Sequence, residues 1–309
     1  MDLTKIWCEK YRPSNIDELI VDEDIKSIVK DFAKAEQIPN LLFVGSPGTG
    51  KTSLAKILVH DVLKCNYLYL NASDENGIDT IRTKVSNFSQ TKSFDGKVKV
   101  VILDEADGIT AQGQQALRNL MESYSGYTRF ILTANFKHKI ITPLQSRCQS
   151  LNLKPSLEQA VKRCYSILKQ ENVNLEEDQK KKFVELIKNH FPDLRKTINE
   201  LQKNVVDGKL VIKYTTIDNE FIKTIFDYIK TKKILDGRKY IIQNENVFQN
   251  DYQSLLKQML EYVYTVDSVD EFKKKQMIAV IANHLYQSVF VIDQEINAFS
   301  CWIQLEGVI

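Results

Sequence analysis

The residues Gly45-Ser46-Pro47-Gly48-Thr49-Gly50-Lys51-Thr52 spell G-x-x-x-x-G-K-T, with Ser53 opening the helical pattern that follows. Spacing of this kind cradles phosphate. Glycines let the backbone turn tightly and aim its N–H groups inward, and a helix N-terminus adds positive potential. Within the loop, Gly48, Thr49 and Gly50 supply backbone. Lys51 reaches toward β- and γ-phosphates, and the Thr52 hydroxyl is a ligand for Mg²⁺. Val100-Val101-Ile102-Leu103-Asp104-Glu105 supplies the acids that phosphate hydrolysis needs. Asp104 would hold Mg²⁺ and Glu105 would orient and deprotonate water. A third apolar run, Phe130-Ile131-Leu132-Thr133, leads into Asn135. If its strand neighbours the other two, Asn135 contacts the γ-phosphate or the water; otherwise it only turns the chain. Arg147, in Pro143-Leu144-Gln145-Ser146-Arg147-Cys148, reads either as a surface charge or as an arginine finger for a neighbouring subunit's ATP.

These residues need a sheet to carry them. Apolar, often β-branched runs at Leu41–Val44, Tyr67–Leu70, Val98–Leu103, Phe130–Thr133 and Gln149–Leu153 alternate with helical patterns. That alternation predicts a mainly parallel α/β sheet over residues 1–155. From Pro155 to about Glu220 the pattern is helical and Lys-rich, with a turn at Asp207-Gly208; from Phe221 it is helical again. In this last zone Asp236-Gly237 and the Asn-rich stretch Asn244–Asn250 are expected to separate helices. Met277–Ile292 is expected to be one buried amphipathic helix, because polar residues interrupt it too often for a membrane span. The lysine runs 180–182 and 273–275 read as solvated helix faces.

Of 309 residues, 43% are hydrophobic and 27% charged, which suits a soluble globular chain of one to three domains. A net charge of +2 gives no global pull on nucleic acid, so any such surface must come from local clustering. The five scattered cysteines lack C-x-x-C spacing and are expected to be buried reduced thiols and not zinc ligands. Met1–Lys5 has no signal-peptide apolar core.

Several longer words resemble the ATPase subunits of sliding-clamp loaders, in the replication factor C small-subunit and T4-type phage branch of the AAA+ superfamily. They are Trp7-Cys8-Glu9-Lys10-Tyr11-Arg12-Pro13, the phosphate loop, Asn71–Asp79, Leu103-Asp104-Glu105-Ala106-Asp107, Ala116–Glu122 and Ser146-Arg147-Cys148. Ser93-Phe94-Asp95-Gly96 and Phe191–Ile198 point to the phage branch. The resemblance covers residues 6 to about 200. It implies an AAA+ α/β domain over 1–155, a helical lid over 156–220 and an all-α collar over 221–309. It also implies that Glu9, Lys10, Tyr11 and Ile20 line the adenine side, that Arg147 acts in trans, and that Arg195 touches the γ-phosphate in cis. Arg82 and Lys84 would meet DNA and Phe94 the clamp. The implied activity is ATP- and Mg²⁺-dependent opening of a sliding clamp and its placement on primer–template DNA. The implied partners are the clamp, the DNA and other loader subunits in a pentamer, either a homotetramer with one accessory subunit or a heteropentamer. No membrane partner is expected. The implied location is the cytoplasm (the host's for a phage chain), or the nucleus for a eukaryotic one. Asn76 departs from the basic residue common in the family's Asp-Glu-Arg-Gly-Ile-Asp. That departure either weakens any DNA-to-Glu105 link or routes it through another residue, such as Gln114 or Arg118. A different AAA+ DNA motor or helicase loader shares the phosphate loop and acidic strand, but the helical tail argues against one. The intact Lys51, Asp104, Glu105 and Arg147 argue against a non-hydrolysing ring scaffold.

Overall fold

The computed structural model describes residues 6–73, 78–91, 96–212, 219–248, 250–266 and 269–309. The chain divides into two compact units, Met1–Val211 and Ile212–Ile309. Asn76 and Phe94 lie outside the described residues, as does part of the stretch where the boundary near 220 was expected.

The first unit is built on five parallel strands: β1 (Leu41–Val44), β2 (Tyr67–Asn71), β3 (Lys99–Asp104), β4 (Thr128–Ala134) and β5 (Gln149–Asn152). They run in the order β2-β3-β4-β1-β5. Leu41–Phe43, Val100–Leu103 and Phe130–Leu132 are wholly buried, since both faces of a parallel sheet are covered. Helices α1 (Trp7–Lys10), α2 (Glu23–Ala35), α3 (Lys51–Ile57), α4 (Ile78–Gln90), α5 (Ala111–Ser123) and α6 (Thr142–Gln145) are interspersed with the strands. Leu54, Ala55 and Leu58, in and just after α3, pack with Leu41, Phe43 and Ile102 on one side of the sheet. Leu117 and Met121 of α5 pack with Leu42, Leu103 and Leu132 on the other. The order places β4 between β3 and β1, pairing Leu132 with both Leu103 and Leu42. The C-terminal ends of the three strands therefore open onto one edge, where ligands bind in such sheets.

The same unit continues into α7 (Leu157–Gln170), α8 (Gln179–His190) and α9 (Leu194–Lys203). The Asp193 carboxylate caps α9 by accepting from Lys196 N at 2.9 Å. This zone is not helical throughout, as the sequence pattern suggested. β6 (Val205–Val206) and β7 (Lys209–Leu210) form a small antiparallel hairpin around Asp207-Gly208. Both turn residues have positive φ, which the Asp-Gly pair tolerates.

The second unit contains α10 (Asn219–Lys230), α11 (Ile234–Gln243), α12 (Glu245–Phe248), α13 (Tyr252–Thr265), α14 (Glu271–Gln287) and α15 (Gln294–Glu306). Ile225, Leu255, Met259, Ile281, Trp302 and Leu305 are among its buried core. Two expectations are corrected here. Asp236-Gly237 is not a turn but lies inside α11; a Cβ on Gly237 would sit 3.0 Å from Tyr228 Cβ, so the glycine serves close packing against α10. The run Met277–Ile292 is not one buried helix. α14 stops at Gln287, and Val289, Phe290 and Ile292 beyond it are exposed. The Asn-rich stretch also carries the short α12.

Candidate functional site

The loop from β1 to α3 uses its glycines in two ways. Gly48 and Gly50 have φ of 71° and 92°, a region costly for side chains with a Cβ. Gly48 also lies against the lid: a Cβ there would fall 1.9 Å from Asp193 Oδ1, and its carbonyl accepts from Leu194 N at 3.3 Å. Thr49 is buried, and its hydroxyl donates to Ser46 O at 2.9 Å, closing the loop on itself.

A cleft of about 1090 Å³, open to solvent, runs between this loop, the sheet edge and the lid. Gly48, Thr49, Gly50, Lys51, Thr52 and Ser53 line it. Asp104, Glu105, Asn135 and Arg195 line it as well, so four segments expected to act on phosphate converge. Lys51 Nζ donates to Gly45 O, Ser46 O and Asn135 Oδ1, each at 2.8 Å. Burial holds the Lys51 ammonium below the usual lysine range, opposed by the nearby carboxylate of Asp104.

Asp104 is buried and surrounded by hydroxyls. Thr52 Oγ1 lies 3.0 and 2.9 Å from its two oxygens, Tyr69 donates to Oδ2 at 2.8 Å, and Thr133 donates to Oδ1 at 2.5 Å. Burial and the bond to Asp104 push the Tyr69 phenol above its ordinary range. Glu105 is exposed and has the left-handed φ of 56°. Its carboxylate accepts from Ser73 Oγ at 2.7 Å, and its N–H donates to Thr133 Oγ1 at 2.9 Å. Thr52 and Asp104 make a pair of hard oxygen donors that suits Mg²⁺, which takes one or two protein oxygens and completes its shell with phosphate and water. Among the described residues no cluster of three or more His, Cys, Asp or Glu is placed to hold a metal. A cation shared with phosphate does not require one.

Of the residues expected on the adenine side, Tyr11 and Ile20 line the cleft, joined by Cys8, Leu19, Arg163 and Ile198. Glu9 and Lys10 do not line it. Glu9 bonds to Arg12 at 2.8 Å, and that guanidinium holds its carboxyl below the usual range. Lys10 Nζ and Tyr11 Oη both donate to Glu171 Oε1 at 2.7 Å. Arg163 donates to Tyr11 O at 3.2 Å, and Trp7 N to Gln202 Oε1 at 2.9 Å. The arm at residues 7–11 is thus fastened to α7, the residue after it, and α9. Sequence reasoning missed Arg163, Glu171, Tyr69 and Thr133. Each acts across a long chain separation, and the runs that hold Tyr69 and Thr133 were read only as strands.

Arg147 lies outside the cleft lining. Its guanidinium contacts the Glu122 carboxylate of α5 and donates to Pro143 O at 2.9 Å. Arg82 and Lys84 are exposed on α4. Gln114 is buried, donates to Ile109 O and Lys139 O, and accepts from Ile141 N, so its amide serves as a brace between α5 and the loop after β4. Cys164 and Cys301 are buried thiols, each pushed up to about 12 by burial, while Cys8, Cys65 and Cys148 are only half-buried.

The family described as ATPase family associated with various cellular activities (AAA) matches residues 41–156. The family described as sliding-clamp-loader large subunit, AAA+ ATPase lid domain, matches residues 154–211. The replication factor C small subunit of Methanococcus vannielii is 40% identical over 255 residues, covering 80% of this chain and 79% of that protein. That of Archaeoglobus fulgidus is 34% identical over 291 residues, covering 88% and 90%. That of Staphylothermus marinus is 46% identical over 213 residues, covering 67% of this chain; the match spans 64% of that relative's length. Among solved structures, two variants of Thermotoga maritima RuvB align with TM-scores of 0.54 and 0.55 at 18% and 16% identity. They cover 95% and 90% of this chain and 90% and 88% of theirs, a likeness of fold alone. Among the described residues no helix is long and apolar enough to cross a membrane.

Proposed function

Because the chain belongs to the replication factor C small-subunit family of AAA ATPases, we propose that it is an ATP-hydrolysing subunit of a sliding-clamp loader. In this reading it assembles with other subunits into a pentamer, opens a clamp, places it on primer–template DNA, and releases both on hydrolysis. It works in the cytoplasm, or in the nucleus of a eukaryote. Residues 156–220 serve as lid and 221–309 as the collar that joins subunits.

The observation that carries the proposal is the convergence of Lys51, Thr52, Asp104, Glu105, Asn135 and Arg195 on one cleft. Lys51 and the loop amides bind the phosphates. Thr52 and Asp104 would hold Mg²⁺, which when bound neutralises charge on the phosphate oxygens. Glu105 takes the proton of the attacking water, and Asn135 orients the γ-phosphate or that water. Arg195 reads the γ-phosphate from the lid. Tyr11 and Ile20 pack on the base, with Glu9 and Lys10 shaping the arm behind them. Arg147 completes the site of a neighbouring subunit. Arg82 and Lys84 contact DNA phosphates, and Phe94 the clamp.

The test is ATPase turnover of the parent and of Glu105→Gln, with and without clamp and primed DNA. The parent should turn over fastest with both. The variant should bind ATP, clamp and DNA while turnover falls on the order of 10²–10⁴-fold. A parent stimulated by DNA alone would indicate another DNA motor, and a parent without turnover a scaffold. Parent-rate hydrolysis in Glu105→Gln would move the base elsewhere.

A further inference from the structure

We propose that Thr133 is a positioning residue for hydrolysis, its single hydroxyl setting the orientation of Asp104 and Glu105 together. The inference rests on the reading that these two acids serve ATP turnover.

Thr133 is 1% exposed and sits near the C-terminal end of β4, the strand between the acidic strand and the phosphate-loop strand. Its Oγ1 is 2.9 Å from Glu105 N and 2.5 Å from Asp104 Oδ1. An N–H can only donate and a carboxylate can only accept. The hydroxyl therefore receives the Glu105 amide on a lone pair and commits its proton to Asp104. A buried threonine with a packing role alone needs one partner; this one takes two, one on each acid.

Each partner has a reason to need it. Glu105 has φ of 56°, so its peptide plane is held in a conformation that a residue with a side chain leaves readily. Its amide lies beyond the β3–β4 register, which ends at Leu103 and Leu132, and takes the Thr133 hydroxyl in place of a ladder carbonyl. Fixing that amide fixes the direction in which the Glu105 side chain leaves the sheet. Asp104 also receives Thr52 and Tyr69, but of these hydroxyls only Thr133 contacts both acids. Valine has nearly the same shape and supplies neither bond.

The full-length chain is compared as parent, Thr133→Val, Thr133→Cys, Thr133→Ser and Glu105→Gln. Two quantities are read. One is turnover at saturating ATP. The other is binding of a fluorescent ATP analogue, first in EDTA and then across a Mg²⁺ titration. Thr133→Val and Thr133→Cys should lose turnover on the order of 10- to 100-fold, as loss of an outer hydrogen bond to a metal ligand does. They should also need more Mg²⁺ to reach the same nucleotide affinity, with affinity in EDTA unchanged. Thr133→Ser should behave like the parent. If the valine variant does not fold, the serine–cysteine pair decides, since both lack the methyl group and differ only in oxygen against sulfur.

Parent-like turnover and Mg²⁺ dependence in the cysteine and valine variants would overturn the proposal. So would equal impairment of serine and cysteine, or a fall in EDTA affinity matching the fall in turnover. Parent-rate hydrolysis in Glu105→Gln would bring down the reading of Glu105 instead. The Mg²⁺ titration would then still judge the hold on Asp104.

Discussion

Lys51 Nζ and Asn135 Oδ1 lie 2.8 Å apart although 84 residues separate them in the chain. The contact follows from the strand order, which puts the end of β4 beside the loop that leaves β1. With Gly45 O and Ser46 O, Asn135 completes three neutral acceptors for one ammonium. Bound phosphate must compete with them. Lys51→Ala should therefore lose ATP affinity outright, whereas Asn135→Ala should keep binding and lose turnover. Equilibrium binding and steady-state hydrolysis on the two variants separate the roles. Normal ATP affinity in Lys51→Ala would refute the phosphate-loop reading.

Arg147 rests on Glu122 of its own chain, so service to a neighbour requires it to leave that carboxylate. Arg147→Ala should retain ATP in each subunit and lose turnover on the order of 10³–10⁵-fold. Mixed with Lys51→Ala, it should recover part of the activity wherever an intact finger meets an intact loop. Rings that assemble normally yet stay inactive in every mixture would confine Arg147 to a structural or cis role.

Glu171 joins Lys10 and Tyr11 to the lid. Burial raises its carboxyl, but the hydrogen bonds from Lys10 and Tyr11 prevail and hold it below the ordinary value. Lys10 is raised by the same contact. The stabilisation is therefore present between the carboxylate and lysine ranges. It is lost as pH falls through the lowered Glu171 value, and again as pH rises through the raised Lys10 value. Glu171→Gln should weaken ATP binding by no more than about fivefold, as expected for a partly exposed contact. Its melting temperature should fall below the parent's near about pH 7 and converge with it as pH drops below the lowered Glu171 value. A difference in melting temperature that persists unchanged in acid would show that the charge is not what matters.

The second unit has its own core of Ile225, Leu255, Met259, Ile281 and Trp302. If the collar proposed for residues 221–309 carries most of the association, a chain ending at residue 218 should stay folded, bind ATP and sediment as a monomer. An oligomer unchanged by the deletion would reassign that role.

The sheet was legible because its strands are short apolar runs flanked by turn and helix signals, as at Val100–Leu103. The phosphate loop was legible because its chemistry is contiguous. The Asp236-Gly237 pair misled because a glycine chosen for contact with Tyr228 looks, in sequence, like one chosen for a turn. The exposed run after Gln287 misled because apolar content alone does not say what covers it. Thr133, Arg163 and Glu171 were invisible for a different reason. A hydroxyl or carboxylate that supports another residue is defined by a distance across the fold, and ordinary residue types carry no mark of it.

Gly48 shows how one position answers to two constraints at once. Its missing side chain leaves room for Asp193 at the start of α9 as well as for the turn itself. A methyl group there would meet the Asp193 carboxylate, the same group that caps α9. Gly48→Ala is thus expected to displace that carboxylate and loosen the contact between loop and lid. Tolerance at this glycine is governed from the far side of the cleft, by a helix whose capping residue lies 145 residues later in the sequence, and the loop and the lid cannot vary independently.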